Sequence, residues 1–307
     1  MVKKSLKLTV VCGIVLSISI VSKWVLALAT VESTQAVLVN TIDTWRFQTV
    51  SPDPTGLAYD KLNDRLIISD SEVNEIAELS KGINVFSSSR SGSLERGMST
   101  LGFSREPAGI ALDSVRGHLY VSDDDSHRIF RLDPGPDNVR FSDDDIVSFV
   151  STLDFGSSDP EGLAFDDQYQ TLYVVDGKHS KLFVLSDIDQ FFGASKSPNP
   201  ALVHDIGLMS LAILDPEGIE FDGRTGRVYI VDARRHTVSV LSKSGKLVQK
   251  ISLPIEMSKP SGITIAPSTQ DSNRMGLYIS DRGIDNNVDP TENDGRVYEF
   301  LITPPQD

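Results

Sequence analysis

The chain has 307 residues, 43 acidic against 29 basic, for a net charge of −14, and it contains one cysteine. An acidic surface of this kind repels nucleic acid and anionic membranes and attracts cations. A single cysteine excludes an internal disulfide framework and any cysteine-pair metal or redox motif.

Three lysines fall in residues 1–7, an apolar run of 14 occupies residues 8–21, and Ala27-Leu28-Ala29 gives a small-x-small end. This is the layout of a secretory signal cleaved before Thr30. The alternative is an uncleaved anchor, since residues 8–29 are long enough to span a bilayer although Lys23 interrupts them. The only cysteine, Cys12, lies inside this leader. Taking Lys3, Lys4, Lys7 and Lys23 from the 29 basic residues leaves 25 against 43 acidic ones in the mature chain. The sequence divides into a leader (1–29), an N-terminal extension (30–44), one repeat-built domain (45–303) and a short tail (304–307). The expected product is secreted or periplasmic, monomeric and without a stable membrane span.

From residue 53 onward one pattern recurs five times: X-Pro-x-Gly, a short apolar run, a turn, and a second apolar run closed by Asp. The copies open at Asp53-Pro54-Thr55-Gly56, Glu106-Pro107-Ala108-Gly109, Asp159-Pro160-Glu161-Gly162, Asp215-Pro216-Glu217-Gly218 and Lys259-Pro260-Ser261-Gly262. They close at Asp70, Asp123, Asp176, Asp232 and Asp281. Gly to closing Asp is 14 residues in the first four copies and 19 in the last, and Gly to Gly runs 53, 53, 56 and 44. A period of this size in strand-and-turn vocabulary predicts the blades of a β-propeller. The expected fold is therefore all-β, a single β-propeller of five blades, with six as the alternative if residues 79–104 or 186–214 hide another. Each repeat Gly suits a first strand near the axis, where backbones crowd and a side chain would clash. After the last copy only one more strand is evident, residues 296–302. The unassigned run Trp45-Arg46-Phe47-Gln48-Thr49-Val50 is predicted to pair with it and close the ring.

Leu119-Tyr120-Val121-Ser122 followed by Asp123-Asp124-Asp125-Ser126-His127-Arg128-Ile129 resembles the NHL-repeat signature. Gly109-Ile110-Ala111-Leu112-Asp113 resembles the start of an NHL or gluconolactonase-like (TolB-like) blade. The resemblance covers about residues 45–302 and implies a propeller superfamily, not a particular member. Those families are typically six-bladed, so five copies are a departure.

The closing aspartates are expected to accept hydrogen bonds from turn amides, because a residue present in every copy serves the blade. His127, His179 and His236 fall in the matching hairpin turns, on different blades, and do not suggest a metal cluster. The residue before each Gly varies: Thr55, Ala108, Glu161, Glu217, Ser261. In gluconolactonase-like propellers a carboxylate or Asn there points into the channel and holds a divalent metal. By that resemblance Glu161 and Glu217 match ligand positions, while Thr55, Ala108 and Ser261 do not. Two carboxylates completed by carbonyls and water suit Ca²⁺ or another divalent cation. The alternative is that each Glu bonds turn amides. Oxygen-rich loops recur at 123–125, 133–145 and 281–295. In the last, Asp285, Asn287 and Asp289 alternate as in a calcium loop and Glu292 and Asp294 follow, but Pro290 and Arg296 exclude an EF-hand. No Gly-x-Ser-x-Gly, phosphate loop or His-Glu-x-x-His is present. Together these features predict an exported propeller that binds a small-molecule or protein ligand across its channel face, with calcium as a structural ion. The rival is a metal-dependent hydrolase (lactonase, esterase or phosphodiesterase) using the channel carboxylates, which further carboxylates at that mouth would favour.

Overall fold

The computed structural model describes residues 31–192, 199–254, 256–284, 289 and 291–302. The leader, the tail, Asp285 and Asn287 lie outside them. The described chain forms five small sheets in a ring, a five-bladed β-propeller. Before the first blade come β1 (Glu32–Gln35) and β2 (Val37–Asp43). Blade one is β3 (Pro54–Asp60), β4 (Arg65–Asp70), β5 (Val85–Ser88) and β6 (Leu94–Met98). Blade two is β7 (Ile110–Leu112), β8 (Leu119–Asp123), β9 (Arg128–Asp133) and β10 (Ile146–Ser151). Blade three is β11 (Pro160–Asp166), β12 (Thr171–Asp176), β13 (Lys181–Leu185) and β14 (Val203–Gly207). Blade four is β15 (Pro216–Asp222), β16 (Arg227–Asp232), β17 (Thr237–Ser242) and β18 (Leu247–Ser252). Blade five is β19 (Pro260–Pro267), β20 (Met275–Asp281), β21 (Arg296–Leu301) and, from the other end of the chain, β2. Residues 79–104 supply β5 and β6 and residues 186–214 supply β14, so neither segment hides a sixth blade.

Closure by an N-terminal strand holds, but the strand is not the one the aromatic run suggests. β2 pairs antiparallel with β21, from Val37 opposite Leu301 to Asp43 opposite Arg296. Residues 45–50 instead follow a 3₁₀ turn at Thr44–Arg46, pinned by the Thr44 hydroxyl donating to Ser51 O at 2.7 Å. Phe47 is buried with Ile42 between blades five and one, against Phe86 at 6.2 Å. The aromatic residue is thus a wedge between blades, while β2 is a largely exposed outer strand in which only Ile42 is buried. β1 adds a fifth strand to blade four, parallel to β18. No helix among the described residues is long and apolar enough to cross a membrane. Deleting residues 31–43 strips β21 of its outer partner and leaves an open hydrogen-bonding edge. Loss of cooperative melting, with aggregation, is the expected result; an unchanged melting curve on differential scanning calorimetry would contradict this closure.

Between blades the core is aliphatic with stacked rings. Tyr120 stacks on Phe165 and Tyr173 on Phe221, each pair with centroids 5.2 Å apart across a blade boundary. The closing aspartates staple each second strand to the loop preceding its own first strand. Asp70 accepts from Ser51 Oγ (2.7 Å) and the amides of Asp53 (2.9 Å) and Val73 (2.8 Å). Asp123 accepts from Ser104 Oγ (2.6 Å) and Ser126 N (2.7 Å), and Asp176 from Ser157 Oγ (2.7 Å) and His179 N (2.6 Å). Asp232 accepts from Leu214 N at 3.0 Å and Asp281 from Lys259 N at 2.7 Å. These five are blade staples. They form no carboxylate ring for a ligand.

Candidate functional site

The repeat glycines make a belt around the axis. A Cβ added at Gly56 falls 2.6 Å from Ala108 O, at Gly109 2.3 Å from Glu161 O, and at Gly162 2.5 Å from Glu217 O. At Gly218 it falls 2.3 Å from Ser261 O and at Gly262 2.3 Å from Thr55 O, which closes the circle. The space enclosed at this level is about 10 Å³, room for one water at most. The channel is therefore shut at its waist and presents two separate mouths.

In blades one, three, four and five the pairing of first with second strand shifts between the Pro and the residue after Gly. This bulge takes the pre-Gly residue out of the ladder and re-aims it. Glu161 and Glu217 occupy two such bulges and reach the same mouth, which opens as a groove of about 370 Å³ lined also by Asp159, Asp215, Lys178 and Arg234. Thr55 is turned to local use, bonding Asp53 O and Ser71 Oγ.

Neither Glu carboxyl has a hydrogen-bond partner among the described residues, and Glu217 Oε2 is buried without one. The reading in which each Glu bonds turn amides is thus not what the molecule does. Glu161 is joined by carboxylates from two other places: Asp124, which follows the closing Asp of blade two, and Asp159, the X of X-Pro-x-Gly. One carboxylate oxygen from each of Asp124, Asp159 and Glu161 lies within 4.8 Å of the others. The Asp159 carboxylate also accepts Lys178 N at 2.8 Å. The room comes from Gly177, where an added Cβ would sit 2.9 Å from Asp159 Oδ2 and 3.2 Å from Glu161 Cγ. Position by position, the residue after the closing Asp is Ser71, Asp124, Gly177, Ala233 and Arg282. Asp124 was visible in the sequence only as part of an acidic run. Its role needs the angle between blades two and three.

The electrostatics follow from enclosure. Burial, then Glu217, Asp124 and Asp159, push Glu161 well above the usual carboxylate range. Burial raises Glu217 to about 7, against the opposing charge of Lys259, and raises Asp124 to about 6. Glu106, the X residue of blade two, is driven to about 9 by burial and by Asp124 and Asp125. Like charges crowded in a low dielectric stay ionised only with a cation among them. Protonation of Glu217 contributes stability that is complete below its unfolded value of about 4.5 and is lost as pH rises through about 7. Chelator-treated protein is therefore expected to melt at falling temperature from about pH 5 to about pH 8. A melting temperature that rises over that range would contradict the assignment.

The oxygen-rich loops behave differently. Asp145 Oδ2 accepts Phe141 N at 2.6 Å and Ser142 N at 3.2 Å, which closes the 133–145 turn on itself. In the 281–295 loop, Asp289 caps Thr291 N at 3.0 Å and Asp294 accepts Ile284 N at 3.1 Å. Glu292 is buried with both oxygens unpartnered, and burial with Asp294 and Asp53 nearby lifts it to about 10. Among the described residues this loop brings no three ligand atoms together as Asp124, Asp159 and Glu161 do. His127 and His236 sit at positive φ in hairpin turns (51° and 49°), and His179 Nδ1 lies 3.0 Å from Asp176.

Residues 105–132 match the family model of the NHL repeat. No curated protein sequence matches the chain. Among solved structures, glutaminyl cyclase of Myxococcus xanthus is 14% identical, with 90% of this chain and 99% of that chain covered at a TM-score of 0.52. A luciferin-regenerating enzyme is 12% identical, covering 86% and 95% at a TM-score of 0.53. The PQQ-bound aldose sugar dehydrogenase of Streptomyces coelicolor is 12% identical, covering 88% and 98% at a TM-score of 0.51. At these identities the likeness is one of fold. It is consistent with the NHL/TolB-like propeller superfamily, whose fold hosts enzymes of unrelated chemistry.

Proposed function

We propose that the protein is an exported propeller that holds a divalent cation, Ca²⁺ by choice of ligands, at the acidic mouth and uses it to bind a small oxyanion-bearing ligand. The observation that carries this is the convergence of Asp124, Asp159 and Glu161 within 4.8 Å, with the Glu161 and Glu217 carboxyls without a hydrogen-bond partner among the described residues. All-oxygen carboxylate donors suit a hard cation that completes its shell with water or ligand oxygens. Asp124, Asp159 and Glu161 would hold the ion, and Glu217 would face its open side. Lys178 and Arg234 on the groove wall offer positive charge to the rest of an anionic ligand. The leader-like residues 1–29 support export, to a compartment where calcium is plentiful.

A second reading is favoured by Glu217 and by the additional carboxylates at this mouth. A carboxylate that faces a bound cation, ionised at neutral pH and without a hydrogen-bond partner of its own, can take a proton from a cation-bound water or substrate, which would make the site a metal-dependent lactonase, esterase or phosphodiesterase. Ca²⁺-loaded protein is expected to bind a simple hydroxy acid such as gluconate, seen as a raised melting temperature that disappears with chelator. A lactone and ester panel separates the readings. Turnover lost in Glu217→Gln with the cation retained establishes the enzyme, whereas cation-dependent binding without turnover establishes the binding protein. Absence of both contradicts the function proposed.

A further inference from the structure

The other mouth, across the glycine waist from the acidic one, is a cavity of about 400 Å³. All five residues two places after the repeat Gly line it: Ala58, Ala111, Ala164, Glu220 and Thr264. Three alanines leave the space, and bulky neighbours such as Phe165, Phe221 and Met275 wall it. The fourth copy departs from the rule and places a carboxylate on this wall. Glu220 Oε2 accepts the Thr264 hydroxyl at 2.6 Å and Ile265 N at 3.4 Å, and Oε1 accepts Phe221 N at 2.8 Å. A carboxylate has about four acceptor sites, so one is left over, and the half-buried side chain is open to the cavity.

The other charges around this cavity are already matched. Asp222 is clasped by Arg224 at 2.9 Å, and Asp167 accepts Ser114 N at 2.9 Å with Lys61 at 3.7 Å. Glu220 has only neutral donors and makes no ion pair among the described residues. The nearest opposing charge is Lys61 on the same cavity wall, which lies 3.7 Å from Asp167 and reaches Glu220 only at longer range, so the Glu220 carboxylate has no direct ionic contact. Burial accordingly pushes Glu220 up to about 7. A cavity of a few hundred Å³ with apolar walls and one or two placed polar groups has the form of a small-molecule site.

We propose that this second mouth binds a small molecule with an apolar, ring-sized body ending in an ammonium group, the ammonium seated on Glu220 and the body against Phe165, Phe221 and Met275. The site is independent of the cation at the opposite mouth, because the closed waist separates them.

The test is calorimetric titration at about pH 8 with 2-phenylethylamine and its uncharged counterpart 2-phenylethanol. Three proteins are compared: wild type, Glu220→Gln, and Ser114→Trp, whose indole would fill the cavity rim. Wild type is expected to bind one amine per chain, at least about tenfold more tightly than the alcohol, the factor that about 1.4 kcal/mol of charge pairing confers. Glu220→Gln is expected to remove that preference while leaving alcohol binding intact, and Ser114→Trp to weaken both. Glu161→Gln with Glu217→Gln is expected to change neither. Equal affinity for amine and alcohol, a preference that survives Glu220→Gln, undiminished binding in Ser114→Trp, or no binding of either compound would overturn the proposal.

Discussion

Gly162→Val is expected to destabilise the propeller by about 3 kcal/mol or more, the upper range for overpacking a rigid interior. The added Cβ would lie 2.5 Å from Glu217 O and 2.8 Å from the Gly218 Cα, both backbone atoms of the next blade. Backbone cannot swing aside as a side-chain tip can, so blade three must move away from blade four. That movement propagates, because Gly162 is one link in a belt where every glycine abuts the next copy. Serine hydroxyls reinforce three links: Ser69 Oγ donates to Ala108 O at 3.2 Å, Ser122 Oγ to Glu161 O at 2.5 Å, and Ser280 Oγ to Thr55 O at 2.9 Å. Gly207→Ala in β14, where an added Cβ meets nothing within 4 Å, should stay within about 0.5 kcal/mol of wild type. Denaturant unfolding of the two variants measures the difference. Similar midpoints would mean that the waist is not packed as described.

The belt and the blades were legible in the sequence because a propeller repeats its solution. A Gly recurring at the start of each first strand and an Asp at the end of each second one report the same backbone contacts five times. The closing strand was less legible. A largely exposed outer strand such as β2 carries a weak alternating signal, whereas Trp45 and Phe47 carry a strong apolar one. Burial of Phe47 in a crevice between blades draws on the same aromatic character as a strand would, so composition does not distinguish them. Glu161 and Glu217 stood out by breaking a pattern of small pre-Gly residues. Asp159 did not, since an acidic X is the rule in four of five copies, and Asp124 was masked by the aspartates on either side of it. Their meeting with Glu161 depends on inter-blade geometry, which no spacing along the chain encodes. Glu220 was missed for another reason. It sits in a first strand among apolar neighbours, and nothing along the chain indicates that three alanines on other blades open a cavity in front of it.

Asp124, Asp159 and Glu161 converge within 4.8 Å and are proposed to hold a cation, with Glu217 facing it. Two neutralised carboxylates should abolish binding, because each removes a ligand and a charge from an ion that has few of either to lose. Asn and Gln keep the volume of the side chains they replace, so the groove and the glycine belt stay intact. Neutralising these residues also relieves the like-charge crowding that raises Glu217, so Asp124→Asn with Glu161→Gln should melt at or above the temperature of chelator-treated wild type. Loss of binding then cannot be ascribed to unfolding. The most direct measurement is calorimetric titration of Ca²⁺ into chelator-treated wild type and into the Asp124→Asn, Glu161→Gln double variant at about pH 8. One ion bound per wild-type chain, with no heat above dilution for the folded double variant, is the predicted result; superimposable isotherms for the two proteins would contradict it.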